Sequence, residues 1–194
     1  MTGKLRTKDI ITIVLLSLVN IVIFGFGSFF YLTPITILLM PVFYSLFQGI
    51  VYVMLGVKVP KKFTMLIYCI IQGIIGFNLV YILCFVAAGI LAELILHKTG
   101  YGSARGLTIS YIVMQLLACF GSTIYPYALT LETTLERNMA SAGDLVVFVE
   151  QAGHMIQSWG MLVLIAVTLL AAWLGALLGR QVVKKHLLRA EDGQ

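Results

Sequence analysis

Long apolar runs separated by short polar breaks organise this chain. Residues 10–31, 35–57, 107–127 and 156–179 are each apolar over the roughly 20 residues a helix needs to cross a bilayer's hydrocarbon core. Four membrane helices are expected there. The run over residues 63–96 is different, because its 34 residues supply about 51 Å of helix while two crossings need about 60 Å. Gln72, Gly73, Gly76 and Asn78 interrupt it, which predicts a hairpin of two helices over about 63–75 and 78–96, one of them short and covered at its end by protein.

Charge placement orients these runs. Lys4, Arg6 and Lys8 precede the first; Lys58, Lys61 and Lys62 follow the second; Lys98 and Arg105 precede the fifth; Arg180, Lys184, Lys185 and Arg189 follow the sixth. Every basic residue except Arg137 then falls on one side if the 63–96 segment crosses twice, as the positive-inside rule requires of a cytoplasmic face. The expectation is an all-α integral membrane protein, a single transmembrane domain over 1–194 with six helices and both termini cytoplasmic. The basic N-terminus resembles a signal peptide, but its apolar run outlasts a cleaved core and is read as a retained helix.

An outer segment, 128–155, carries Glu132, Glu136, Asp144 and Glu150 with Arg137. Its length points to a functional loop. The spacing of Leu131, Leu135 and Met139, then Leu145, Val146, Phe148 and Val149, predicts short amphipathic helices lying as a lid over the bundle mouth. Composition agrees with a lipid-solvated chain: 60% of residues are hydrophobic and 11% charged, against about 45–50% and about 25% for soluble domains. The net charge of +5 is topological rather than a nucleic-acid footprint. Cys69, Cys84 and Cys119 lie inside apolar runs without metal-ligand spacing.

Little here suggests catalysis. No H-E-x-x-H, G-x-S-x-G or Walker pattern occurs, so an enzyme is not expected. Glu93 sits near the inner end of the fourth helix, spaced to pair with His97 at i, i+4. No carboxylate lies deep in a span, which counts against ion-coupled transport. Polar and aromatic residues instead collect at the outer helix ends: Tyr31, Gln72, Asn78, Tyr81, Tyr125, Tyr127, His154, Met155, Gln157 and Trp159. Part of this is an interfacial aromatic belt. The amides are costly in lipid, so these residues are read as an outer substrate pocket, with interhelical hydrogen bonding as the alternative for each amide. His154 could ligate haem iron. Ala171, Gly175 and Gly179, like Ala88 and Ala92, form small-residue faces suited either to internal packing or to a partner subunit.

Three segments carry a family resemblance. The opening Leu5-Arg6-Thr7-Lys8-Asp9-Ile10-Ile11, the run from Pro41 to Leu55 with the Lys58-Val59-Pro60-Lys61 loop, and the close from Leu178 to His186 resemble the Trep_Strep group of substrate-binding (S) components of energy-coupling factor (ECF) transporters. The resemblance implies six helices, cytoplasmic termini and a bacterial cell membrane. It also implies micronutrient capture at the outer face, with a membrane coupling subunit and two ATPases as partners. No intrinsic cofactor is implied; the ligand is haem or a related tetrapyrrole, or alternatively a flat vitamin or cofactor precursor. Many S components contact the coupling subunit through an Ala-xxx-Ala pair on the first helix. Here that helix offers Thr12, Ser17 and Asn20 in its place.

Overall fold

The computed structural model describes residues 3–76, 78–138 and 144–185. Among these the regular structure is helical throughout, without strands. Helix α1 (Thr7–Gly25) tightens into a 3₁₀ run over Phe26–Leu32; α2 spans Pro34–Lys58, α3 Thr64–Ile75 and α4 Leu79–Thr99. Helix α5 (Ala104–Cys119) widens into a π-helical stretch over Phe120–Leu129. Then come α6 (Leu131–Asn138), α7 (Asp144–Met155), a π-helical link Ile156–Gly160, and α8 (Met161–Val183). Met139 and Arg189, part of the patterns read above, lie outside the described residues.

The starts follow from local chemistry. Thr33 and Thr36 form a reciprocal capping box, Thr33 Oγ1 accepting from the Thr36 amide at 3.2 Å, and Pro34 occupies the first helical position of α2. Asn78 Oδ1 accepts from the Val80 amide at 2.9 Å and Ser103 Oγ from the Gly106 amide at 3.0 Å, starting α4 and α5. Five helical segments, over 7–32, 34–58, 79–99, 104–129 and 161–183, are long and apolar enough to cross a membrane. The 12-residue α3 is the short arm of the expected hairpin with α4.

One expectation needs adjustment. The final span was placed over 156–179, following a separate outer loop. Instead α7 runs through the π-helical link into α8, so the second half of that loop is a helical extension of the last span. The first half, α6, packs against α7, where the Leu131 side chain lies on Gly153.

Packing separates centre from periphery. Inside the most apolar 18-residue window, α5 is 61% buried and α2 56%, but α1 only 22%. Thus α2 and α5 are central, while Val22, Leu83 and Leu170 project outward as lipid-facing residues. The tightest pairing is α2 with α8: Gly49 meets the Gly175 backbone, and Gly175 and Gly179 meet the carbonyls of Ser45, Leu46 and Gly49. Ala88 and Ala92 are fully buried as well. Both small-residue faces are therefore consumed by the bundle itself, which is the close backbone approach that lipid solvation rewards.

The main core joins α2, α3, α4, α5 and α8 around Tyr52, Tyr68, Tyr111 and Met114. A second, smaller core sets Val149 and Ala152 of α7 and Ile156 of its link on Ile37, Cys119, Ile124 and Tyr127. Helix α7 is thereby docked on one end of the bundle. At the opposite end Lys61 Nζ meets Asp9 Oδ2 at 2.6 Å, Pro60 contacts Gly102, and Arg180 Nη2 donates to the Ala104 carbonyl. The basic clusters thus form one pole.

Candidate functional site

Aromatic residues gather at the other pole. Where α1 ends, α2 begins, the α3–α4 turn passes and α5 widens, a cavity of about 250 Å³ opens. Phe24, Tyr31, Tyr44, Tyr81 and Tyr127 supply its aromatic walls, while Asn78, Ser122 and Thr134 supply polar groups. Phe24 and Tyr44 stack with centroids 5.3 Å apart, and the Tyr44 hydroxyl donates to the Phe24 carbonyl at 2.9 Å. This holds one wall rigid. Thr134 Oγ1 donates to the Pro126 carbonyl at 2.9 Å, binding α6 to the end of α5 over the cavity.

The π-helical widening of α5 has a local cause. Pro126 lacks an amide hydrogen and cannot sustain the regular ladder. Wider turns are a known accommodation at functional sites, and here they put Gly121, Ser122, Pro126 and Tyr127 on the cavity wall. Gly121 lies against the Tyr81 backbone and the Cys84 side chain, so α4 and α5 approach closely beside it.

The expected outer residues divide among several places. Tyr31, Asn78, Tyr81 and Tyr127 meet in the cavity, joined by Phe24, Met40, Tyr44, Ser122 and Thr134, which sequence reasoning did not select. Tyr44 was hidden inside an apolar run. His154 and Gln157 line a separate groove of about 590 Å³ beneath α6 and α7, together with Glu132 and Glu150. There His154 Nε2 lies 3.9 Å from Glu150 Oε1. Met155 faces a third, apolar groove with Leu38 and Val163. Trp159 projects outward with 78% of its surface exposed, and Tyr125 is half-buried, its carbonyl accepting from Thr130.

Gln72 is buried one helical turn below the cavity, with Asn20 Nδ2 donating to its Oε1 at 2.7 Å. Of the residues read as coupling contacts, Ser17 and Asn20 are each 1% exposed on the inward face of α1; only Thr12 reaches the surface partially, its hydroxyl donating to the Lys8 carbonyl.

Two further polar systems hold the bundle. Between α2 and α5, Tyr111 donates to the Ser45 carbonyl at 2.7 Å, Gln115 donates to Gln48 at 3.2 Å and Tyr52 donates to Ser110 at 2.9 Å, while within α5 Gln115 also donates to Tyr111. Such interhelical hydrogen bonds contribute about 0.6 kcal/mol each in membranes. Glu93 does not pair with His97, which is exposed. Its carboxylate accepts from the Met65 and Leu66 amides at 3.2 and 3.4 Å and from the Tyr101 hydroxyl at 3.0 Å. Helix α3 begins after Phe63 at φ 68° without a side-chain cap, so a carboxylate from a neighbouring helix supplies one.

Comparison with known proteins finds no curated protein and no solved structure that matches. A family model described as a hypothetical bacterial integral membrane protein (Trep_Strep) matches residues 7–189. That stretch runs from the first residue of α1 past the end of α8, taking in the cavity and both poles, and the chain therefore belongs to the Trep_Strep family of bacterial integral membrane proteins, as a multi-pass member.

Proposed function

We propose that this chain is the substrate-binding subunit of an ECF-type importer, capturing a small flat micronutrient in the aromatic cavity for uptake driven by partner subunits. The single observation that carries this reading is the convergence of five aromatic and three polar side chains from four bundle elements and α6 on one cavity, at the pole opposite the basic clusters. With those clusters cytoplasmic, as the positive-inside rule favours, the cavity opens outward and six crossings result. Helices α6 and α7 act as the lid.

The energy source lies outside the chain. Glu93 is engaged as a helix cap rather than poised in an aqueous path, which leaves ion coupling without a group to perform it. ATP hydrolysis belongs to two ATPase subunits joined through a membrane coupling subunit. Ser17 and Asn20 being covered, that subunit meets Thr12 and the exposed apolar face of α1 at Ile11 and Leu15.

Between the two ligand classes, cavity size favours a vitamin or cofactor precursor of one or two fused rings over a tetrapyrrole. Haem would need the larger groove at His154, where Glu132 and Glu150 would repel its propionates. The test is coexpression with a coupling subunit and two ATPases. Stable copurification and ATP-dependent uptake into vesicles are expected, and failure to associate under any condition would refute the assignment. Haem titration separates the ligands: a saturable Soret shift weakened by His154→Ala would restore the tetrapyrrole.

A further inference from the structure

Asn20 and Gln72 are costly residues in an unusual state. They are 1% and 6% exposed, inside segments solvated by lipid, and the single hydrogen bond between them leaves Asn20 Oδ1 and Gln72 Nε2 without partners. Buried polar groups in native structures are nearly always satisfied, and exceptions concentrate at sites with a role. Two apolar residues would pack α1 against α3 at less cost.

Their position indicates the role. Asn20 lies four residues before Phe24 on α1, and Gln72 four residues before Gly76 at the end of α3. Phe24 and Gly76 both line the aromatic cavity, so the amide pair sits one helical turn beneath its floor. The ring of Tyr81 lies against the bare Cα of Gly76. Below the pair the polar strip continues in Ser17 Oγ and Tyr68 Oη, also buried and unpartnered.

Resting on the reading of the cavity as a ligand site, we infer that Asn20 and Gln72, one turn beneath its floor, form a specificity-determining subsite that recognises a heterocycle presenting an adjacent ring N–H and C=O. The one hydrogen bond leaves an acceptor, Asn20 Oδ1, and a donor, Gln72 Nε2, unpaired on adjoining side chains. That is the complement of a lactam or cyclic imide edge. The conclusion holds whichever way the amides are turned, because flipping both merely exchanges which residue donates. The ligand displaces the Tyr81 ring from Gly76, seats its edge on the amides, and leaves its flat body among Phe24, Tyr44 and Tyr127. A site built to pair both groups rejects an analogue that cannot.

The full chain in detergent is titrated with the bicyclic pyrimidinedione lumazine and with 1,3-dimethyllumazine, whose ring N–H groups are blocked, following ligand fluorescence. Saturable binding of lumazine is expected, weakened at least about tenfold for the dimethyl analogue and for Asn20→Leu/Gln72→Leu. The double variant should melt at or above the parent, since it removes both orphaned groups together; a purely structural pair would instead lower the Tm. Equal binding of the two probes, no saturable binding of lumazine, or undiminished binding by the double variant would each overturn the inference. Copurification with coupling subunit and ATPases does not depend on this subsite, so assembly without lumazine binding removes this inference alone, whereas failure of the parent to assemble removes the importer reading.

Discussion

Replacing Glu93 by Ala removes the carboxylate that accepts from the first turn of α3 and tests how this short helix is held. The carboxylate takes the Met65 and Leu66 amides and the Tyr101 hydroxyl. Losing a capping acceptor costs about 0.5–2 kcal/mol, and stranding a partly buried hydroxyl adds about 1 kcal/mol. Burial and the neighbouring carboxylate push the Tyr101 phenol up to about 12, so it remains a donor throughout the physiological range. The sum, about 1.5–3 kcal/mol, corresponds to a Tm lower by roughly 3–12 °C for a chain of this size. Glu93→Gln, which retains an acceptor oxygen without the charge, should lose about half as much. His97→Ala should stay within about 0.5 kcal/mol, since His97 is exposed. Thermal unfolding of the three variants in one detergent decides the matter. Equal losses for Glu93→Ala and His97→Ala would refute the cap and restore the i, i+4 pair.

Four other outcomes are expected. Gly175→Val drives a branched side chain into the Ser45 and Leu46 carbonyls and should cost about 2–4 kcal/mol in thermal unfolding, whereas Ala166→Val on the exposed face of α8 should be nearly neutral. Asn78→Ala removes both the α4 cap and a cavity group, lowering stability by about 1 kcal/mol and weakening retention of any copurifying ligand seen by mass spectrometry. Cys69, Cys84 and Cys119 are free and buried, so maleimide should modify them only after denaturation, read as a mass shift. In a cysteine-free background, a membrane-impermeant maleimide applied to whole cells should label Thr133→Cys but not Lys62→Cys; the reverse pattern would invert the proposed orientation.

Much of the architecture was legible in the chain. Apolar runs and interrupting polar residues predicted the helices and the short α3, and the boundaries agree within a few residues except at the last span. That exception is instructive: Ile156 looked like a start because the acidic residues before it read as loop, yet α7 buries Val149 and Ala152 in the second core and continues into α8. At the site, Tyr31, Asn78, Tyr81 and Tyr127 were identifiable as aromatic and amide residues at helix ends. His154, Met155 and Trp159 had the same signature but face elsewhere, because residues along a helix point in different directions and one end of it serves several surfaces. Tyr44 was missed as a cavity residue because an apolar run concealed it, and Asn20, read as an outward contact, is buried against Gln72.

By itself the sequence determined the solvent and the segments. Membrane insertion depends on summed apolar transfer and on the placement of Lys and Arg, both of which are local properties. Only the tertiary structure decided which faces meet: that Gly175 serves α2 rather than a partner, that Glu93 caps α3 rather than joining His97, and that an amide of α1 pairs with one of α3. Lipid is as apolar as Leu, so hydrophobicity does not tell a lipid-facing side chain from a helix-facing one. Close packing and the matching of donors to acceptors make that choice, and these belong to pairs of residues far apart in the chain.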